Sequence, residues 1–79
     1  MASLKELKPG QRGVVVQIDS KGALKRRLVD MGITPGVVIM VRKVAPLGDP
    51  IEINLRGYEL TIRKTEAENI KIKPNVDAE

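Results

Sequence analysis

The side chains of this chain that could do chemistry are carboxylates, amines, guanidinium groups and a few hydroxyls, because it holds neither histidine nor cysteine. Asp49, Glu66 and Glu68 are oxygen donors that suit a hard cation weakly. Without imidazole or thiolate they do not make a tight transition-metal site. Ser3 lies near the terminus and Ser20 in a turn, and no histidine is available as a base for either. Gly10-x-x-Gly13 runs into a strand rather than a helix, so it is not a phosphate cradle. Catalysis is therefore not expected, nor is a resident metal or cofactor. The residue types favour recognition instead. Arg26 and Arg27 sit on a basic segment that ends at Gly32. Pro46, Leu47, Gly48 and Asp49 form a loop closed by Pro50. An arginine pair can meet acidic groups. An apolar residue on a proline-stiffened loop can act as an anchor, because little entropy remains to be lost and interface energy concentrates in a few buried side chains. Arg26, Arg27, Pro46, Leu47, Gly48 and Asp49 are the candidate partner-binding residues. The competing arrangement has Leu47 folded back as a cap on the core. Truncating it would then cost about 2–5 kcal/mol.

The elements that must position these residues are legible in the spacing. Leu4 to Leu7 is a short amphipathic lead-in, and Lys8-Pro9-Gly10-Gln11 has the composition of a type II turn. Val14, Val16 and Ile18 recur at period two, which predicts a strand with those residues on its buried face. After a turn at Asp19 to Gly22 the period changes. Leu24, Leu28 and Met31 stand at i, i+4 and i+7, predicting a helix over about residues 22–31. Lys25, Arg26, Arg27 and Asp30 occupy its other sides. Gly32 is placed for a left-handed C-cap, and Pro35 prevents continuation. The Pro-Gly turn recurs at Pro35-Gly36 and launches a strand to Val44 with Ile39 and Val41 inward. Ile51, Ile53 and Leu55, then Arg56-Gly57, then Tyr58, Leu60 and Ile62 read as a hairpin. Lys64 to Asn69 reads as a helical turn with Thr65 as N-cap, followed by a last strand at Ile70 and Ile72.

Short strands in so small a chain bury their apolar faces only by curling over one core. The expected architecture is mainly β: a five-stranded, partly open barrel with one inserted α-helix and a short helical turn before the last strand. The 79 residues make a single domain, read as 1–73, with 74–79 as a flexible C-terminal tail. The apolar runs are too short to cross a bilayer, and no signal-peptide pattern opens the chain. A cytoplasmic protein is expected. The formal charge of +4 allows an acidic protein, an anionic surface or a nucleic acid as partner. Basic barrels that hold nucleic acid recruit aromatic platforms, whereas Tyr58 is the sole aromatic residue here. A nucleic-acid-binding barrel is the alternative reading.

Four segments in order carry a family resemblance. They are Leu4-x-x-Leu7-x-Pro9-Gly10, Arg26-Arg27-Leu28-Val29-Asp30-Met31-Gly32-Ile33-x-Pro35-Gly36, Ala45-Pro46-Leu47-Gly48-Asp49-Pro50, and Arg63-Lys64-x-Glu66-Ala67-x-x-Ile70. With their spacing, over about Leu4 to Ile72, the chain resembles the FeoA family of ferrous iron transport proteins. The resemblance implies an SH3-like barrel without enzymatic activity. It also implies an accessory role beside FeoB, a membrane permease for ferrous iron with a cytosolic GTP-binding domain. Such a domain reaches the membrane only through that partner, and a monomer or weak oligomer is expected. Similar domains also end iron- and manganese-dependent repressors, after a DNA-binding domain. This chain opens on the barrel, so the stand-alone form is expected.

Overall fold

The structure, a computed structural model, describes residues 2–74. Its strands are β1 (Ala2–Ser3), β2 (Arg12–Ile18), β3 (Val38–Val44), β4 (Ile51–Leu55), β5 (Tyr58–Ile62) and β6 (Ile70–Pro74). Helix α1 (Gly22–Asp30) connects β2 to β3, and a single turn, α2 (Lys64–Ala67), connects β5 to β6. The six strands make one antiparallel sheet in the order β1-β6-β2-β3-β4-β5. The strand beyond the five expected is β1. It is a two-residue piece beside β6, followed by a 3-10 turn at Leu4–Glu6. Pro74 closes β6 opposite Gly13. The rest of the expected tail, residues 75–79, lies outside the described residues. Among the described residues no helix is long and apolar enough to cross a membrane.

The sheet curls around an aliphatic core. Leu4, Leu28, Ile33, Ile39, Val41, Ile53, Ile70 and Ile72 are fully buried. Alternation places Ile51, Ile53 and Leu55 inward along β4, as their spacing predicts. The hairpin turn at Arg56-Gly57 has positive φ at both residues, 50° and 86°. That is the two-residue geometry whose twist matches the flanking strands.

Strand β2 corrects the sequence reading. Val15 is 1% exposed and faces the core, whereas Val16 is 39% exposed. The expected inward set of Val14, Val16 and Ile18 is therefore out of phase at its first two members. A bulge resolves it. Val15 pairs with Ile72, but Gln17 pairs with Lys71, so Val16 is an extra residue in the ladder. Past the bulge the phase inverts and Ile18 packs against the core. Three consecutive valines carry no period of their own, so only pairing with β6 selects which of them turns inward.

Helix α1 ends in a complete Schellman motif. The Ile33 N–H donates to the Leu28 carbonyl (3.0 Å) and the Gly32 N–H to the Val29 carbonyl (2.9 Å), with Gly32 at φ +92°. Leu28 and Ile33, the residues that this motif brings together, are both fully buried. The helix is thus stopped and pinned to the core in one step.

Gly13 lies where the sheet is closely packed against Leu7 and Ile72. A Cβ there would lie 2.8 Å from Ile72 Cδ1, 3.2 Å from Ile72 Cβ and 3.3 Å from Leu7 Cδ1. Ile72 is fully buried and has no free side to move into. Gly13→Ala is expected to cost about 1–3 kcal/mol, the range of overpacked cores. Thermal melting should register that as a fall of several degrees, at ~4–8 °C per kcal/mol for a domain of this size.

Candidate functional site

The two segments singled out in the sequence meet across an open groove of about 380 Å³. Arg27 enters it from α1, and Asp49 and Pro50 from the loop between β3 and β4. Thr61 and Ile62 of β5 form its floor, and Arg63 and Glu66 close the far side.

Glu66 organises the groove. It is only 5% exposed, a rare position for a carboxylate unless its charge is matched. One oxygen, Oε2, lies 2.7 Å from the Arg27 guanidinium. The other, Oε1, accepts the Arg63 N–H at 2.8 Å. Asp49 Oδ1 accepts the next amide, that of Lys64, at 3.0 Å. Two carboxylates, one local and one from a distant loop, thereby satisfy the first amides of α2, which an isolated turn leaves orphaned. The N-cap is Arg63 rather than the expected Thr65, which lies inside the turn. Four residues do not form a stable helix alone. These bonds and the buried Ala67 hold it.

The loop that carries Asp49 is internally braced. The Gly48 N–H donates to the Ala45 carbonyl (2.7 Å), and the Ala45 N–H to the Pro50 carbonyl (3.1 Å). At its tip Leu47 is 91% exposed. The capping arrangement is thus excluded, and Leu47 projects into solvent. Pro46 and Asp49 are exposed beside it and Gly48 is half-buried.

The two arginines separate in role. Arg26 is exposed and makes no ion pair among the described residues. Arg27, expected on the solvent face with it, reaches across to Glu66 and ties α1 to α2. The sequence reading missed Tyr58 as a positioning residue. Its hydroxyl donates to the Met31 carbonyl at 2.8 Å and so holds the end of α1 against the β4–β5 hairpin. A Cβ on Gly32 would lie 2.7 Å from that hydroxyl. Glu66, grouped in the sequence with Asp49 and Glu68 as an oxygen donor, is buried. The signal that would have placed it was Arg63-x-x-Glu66, an acid at the third position after an extended residue. Among the described residues no three of the carboxylates assemble into a group that could hold a metal ion.

The fold and this groove define a small SH3-like β-domain with a charged groove at one end. The chain belongs to the FeoA domain family, which matches residues 2–74. It is 31% identical over 70 residues to an Fe(2+) transport protein A/Fe(2+) transporter FeoB fusion protein of Porphyromonas gingivalis. The match covers 89% of this chain and 8% of that protein's length. The solution structure of a FeoA-like protein from Clostridium acetobutylicum superposes with a TM-score of 0.88 at 35% identity, over 99% of this chain and 91% of that one. A zinc-complexed FeoA from Stenotrophomonas maltophilia, described as an SH3 domain protein, shares the fold at 22% identity with a TM-score of 0.82, over 92% of this chain and 91% of that one.

Removing either end of the Arg27–Glu66 pair should be measurable in stability. Arg27→Ala is expected to cost about 1–2 kcal/mol, below the range for fully buried pairs, because its side chain is 60% exposed and partly solvated. Glu66→Ala also frees the Arg63 amide and should cost more. Urea denaturation of the two variants should rank them in that order. Equal midpoints would show that the Arg63 bond contributes nothing.

Proposed function

We propose that this chain is a cytoplasmic, non-enzymatic accessory protein of ferrous iron uptake that acts by docking on a FeoB-type GTP-binding permease. The observation that carries the reading is the Porphyromonas gingivalis relative, in which a domain like this one shares a polypeptide with the transporter. Fusion holds two modules at high effective concentration without any new contact. A domain on its own polypeptide would have to supply a surface that finds the partner.

This chain has the features of such a surface. Leu47 stands 91% exposed on a loop whose ends are already bonded, so docking it orders little. Arg26 lies on the neighbouring helix with its charge unmatched among the described residues. Asp49 and Arg27 act differently from these two: they brace the loop and α1 against α2, and their contribution to docking is positional. Nucleic acid remains the alternative partner on charge alone. Tyr58, the one aromatic residue, has its hydroxyl committed to Met31, which disfavours its use as a stacking platform.

The test is titration calorimetry against the cytosolic GTP-binding domain of a FeoB protein. Leu47→Ala is expected to leave the melting curve within about 0.5 kcal/mol of the parent, as surface changes do, and to weaken binding by more than 1 kcal/mol if it is an anchor. Arg26→Glu is the clean electrostatic probe, since Arg27→Glu would also set two carboxylates face to face at Glu66. It should lower affinity most at low salt. Affinity unchanged in both variants would remove this surface from the docking reading. A gel shift with duplex DNA or RNA that weakens steeply with salt would favour the alternative.

A further inference from the structure

Strand β5 is an edge with an open side. Its one ladder partner is β4, and among the described residues no other backbone–backbone bond reaches residues 58–62. In an antiparallel pair alternate residues bond across the ladder, and those between turn their N–H and C=O groups outward. Such an edge is usually blunted by proline, by a bulge or by brevity. The opposite edge, β1, has only two residues. β5 has five, no proline, and an uninterrupted register with β4, although both β2 and β3 are bulged. Tyr58, Thr61 and Ile62 are also strand-favouring types.

The C-terminal end of this edge runs into the groove, where hydrogen-bond capacity is unbalanced. Both oxygens of Glu66 are occupied, and Asp49 Oδ1 is taken by the Lys64 amide. The donors are in excess. Each guanidinium carries five N–H groups. That of Arg63 has no acceptor among the described residues, and Arg27 uses one nitrogen on Glu66. A segment laid along β5 would therefore find main-chain groups first and then the Arg63 guanidinium, whose charge has no partner among the described residues.

The geometry points to an extended, acidic segment of the protein partner, added as a further strand on β5, with one carboxylate seated in the groove on Arg63. This rests on the docking reading above and names the edge and the chemistry it uses. Main-chain bonds supply affinity in strand addition, and the side-chain site supplies register. An arginine–carboxylate pair is suited to that by its fork geometry.

The experiment is amide hydrogen exchange on the intact protein, alone and with the cytosolic domain of a FeoB protein, together with calorimetry on Arg63→Gln. Exchange within residues 58–62 should slow only in the complex. Arg63→Gln should weaken binding about tenfold or more with the melting curve preserved, and Arg63→Lys should recover part of the loss. Binding that persists with exchange at 58–62 unchanged, or with Arg63→Gln equal to the parent, overturns strand addition and leaves docking intact. Protection of the same amides on raising protein concentration alone, with a dimer in sedimentation, assigns the edge to a second copy and overturns it as well. A parent protein that does not bind at all overturns the docking reading itself.

Discussion

A carboxylate almost removed from solvent holds the groove end of this domain together. Glu66 lies in a turn too short to persist unaided, between a helix and a loop that come from distant parts of the chain. Its two oxygens face different tasks. One fixes the start of the turn through the Arg63 amide, and the other fixes α1 through Arg27. Burying the charge is tolerable only because both oxygens are matched. Asp49 then bonds the adjacent amide and draws the β3–β4 loop onto the same turn. The position of Arg27, the attachment of the loop to α2 and the groove between them all follow from those bonds.

The sheet beneath supplies the rigidity that this arrangement needs. A domain of this size without disulfides has little net stability to spare, so its aliphatic core must be filled closely. Gly13 shows how closely, since a single methyl group there has no room beside Ile72. The bulges at Val16 and Arg42 bend the sheet into a partly open barrel. The barrel does not close by hydrogen bonds between its outer strands, so edges remain at β1 and β5. One is too short to offer much. The other stands beside the charged groove.

The side chains at this end divide into parts that hold and parts that are left open. Tyr58, Glu66, Asp49 and Arg27 are engaged within the molecule. Leu47, Arg26 and the Arg63 guanidinium stand open to solvent or groove. Such a division lets the open side chains vary without loss of the fold, whereas a change at Glu66 disturbs fold and surface together.

Much of this was legible in the chain itself, where the information is local. The i, i+4, i+7 spacing of Leu24, Leu28 and Met31, and Gly32 after them, determined α1 and its end, because a helix and its C-cap are decided by neighbours a few residues away. The alternation around Arg56-Gly57 determined the hairpin for the same reason. The four spaced segments determined the family. Tertiary structure alone decided the rest. Val14, Val15 and Val16 are chemically alike, so only pairing with β6 turned Val15 inward. Leu47 was compatible with a core cap or an exposed tip, and the braced loop decided for the tip. Arg26 and Arg27 are neighbours of one type, yet only Arg27 has a buried carboxylate within reach. Burial and charge pairing depend on residues far apart in sequence, and a pattern of local spacing carries no record of which of them meet.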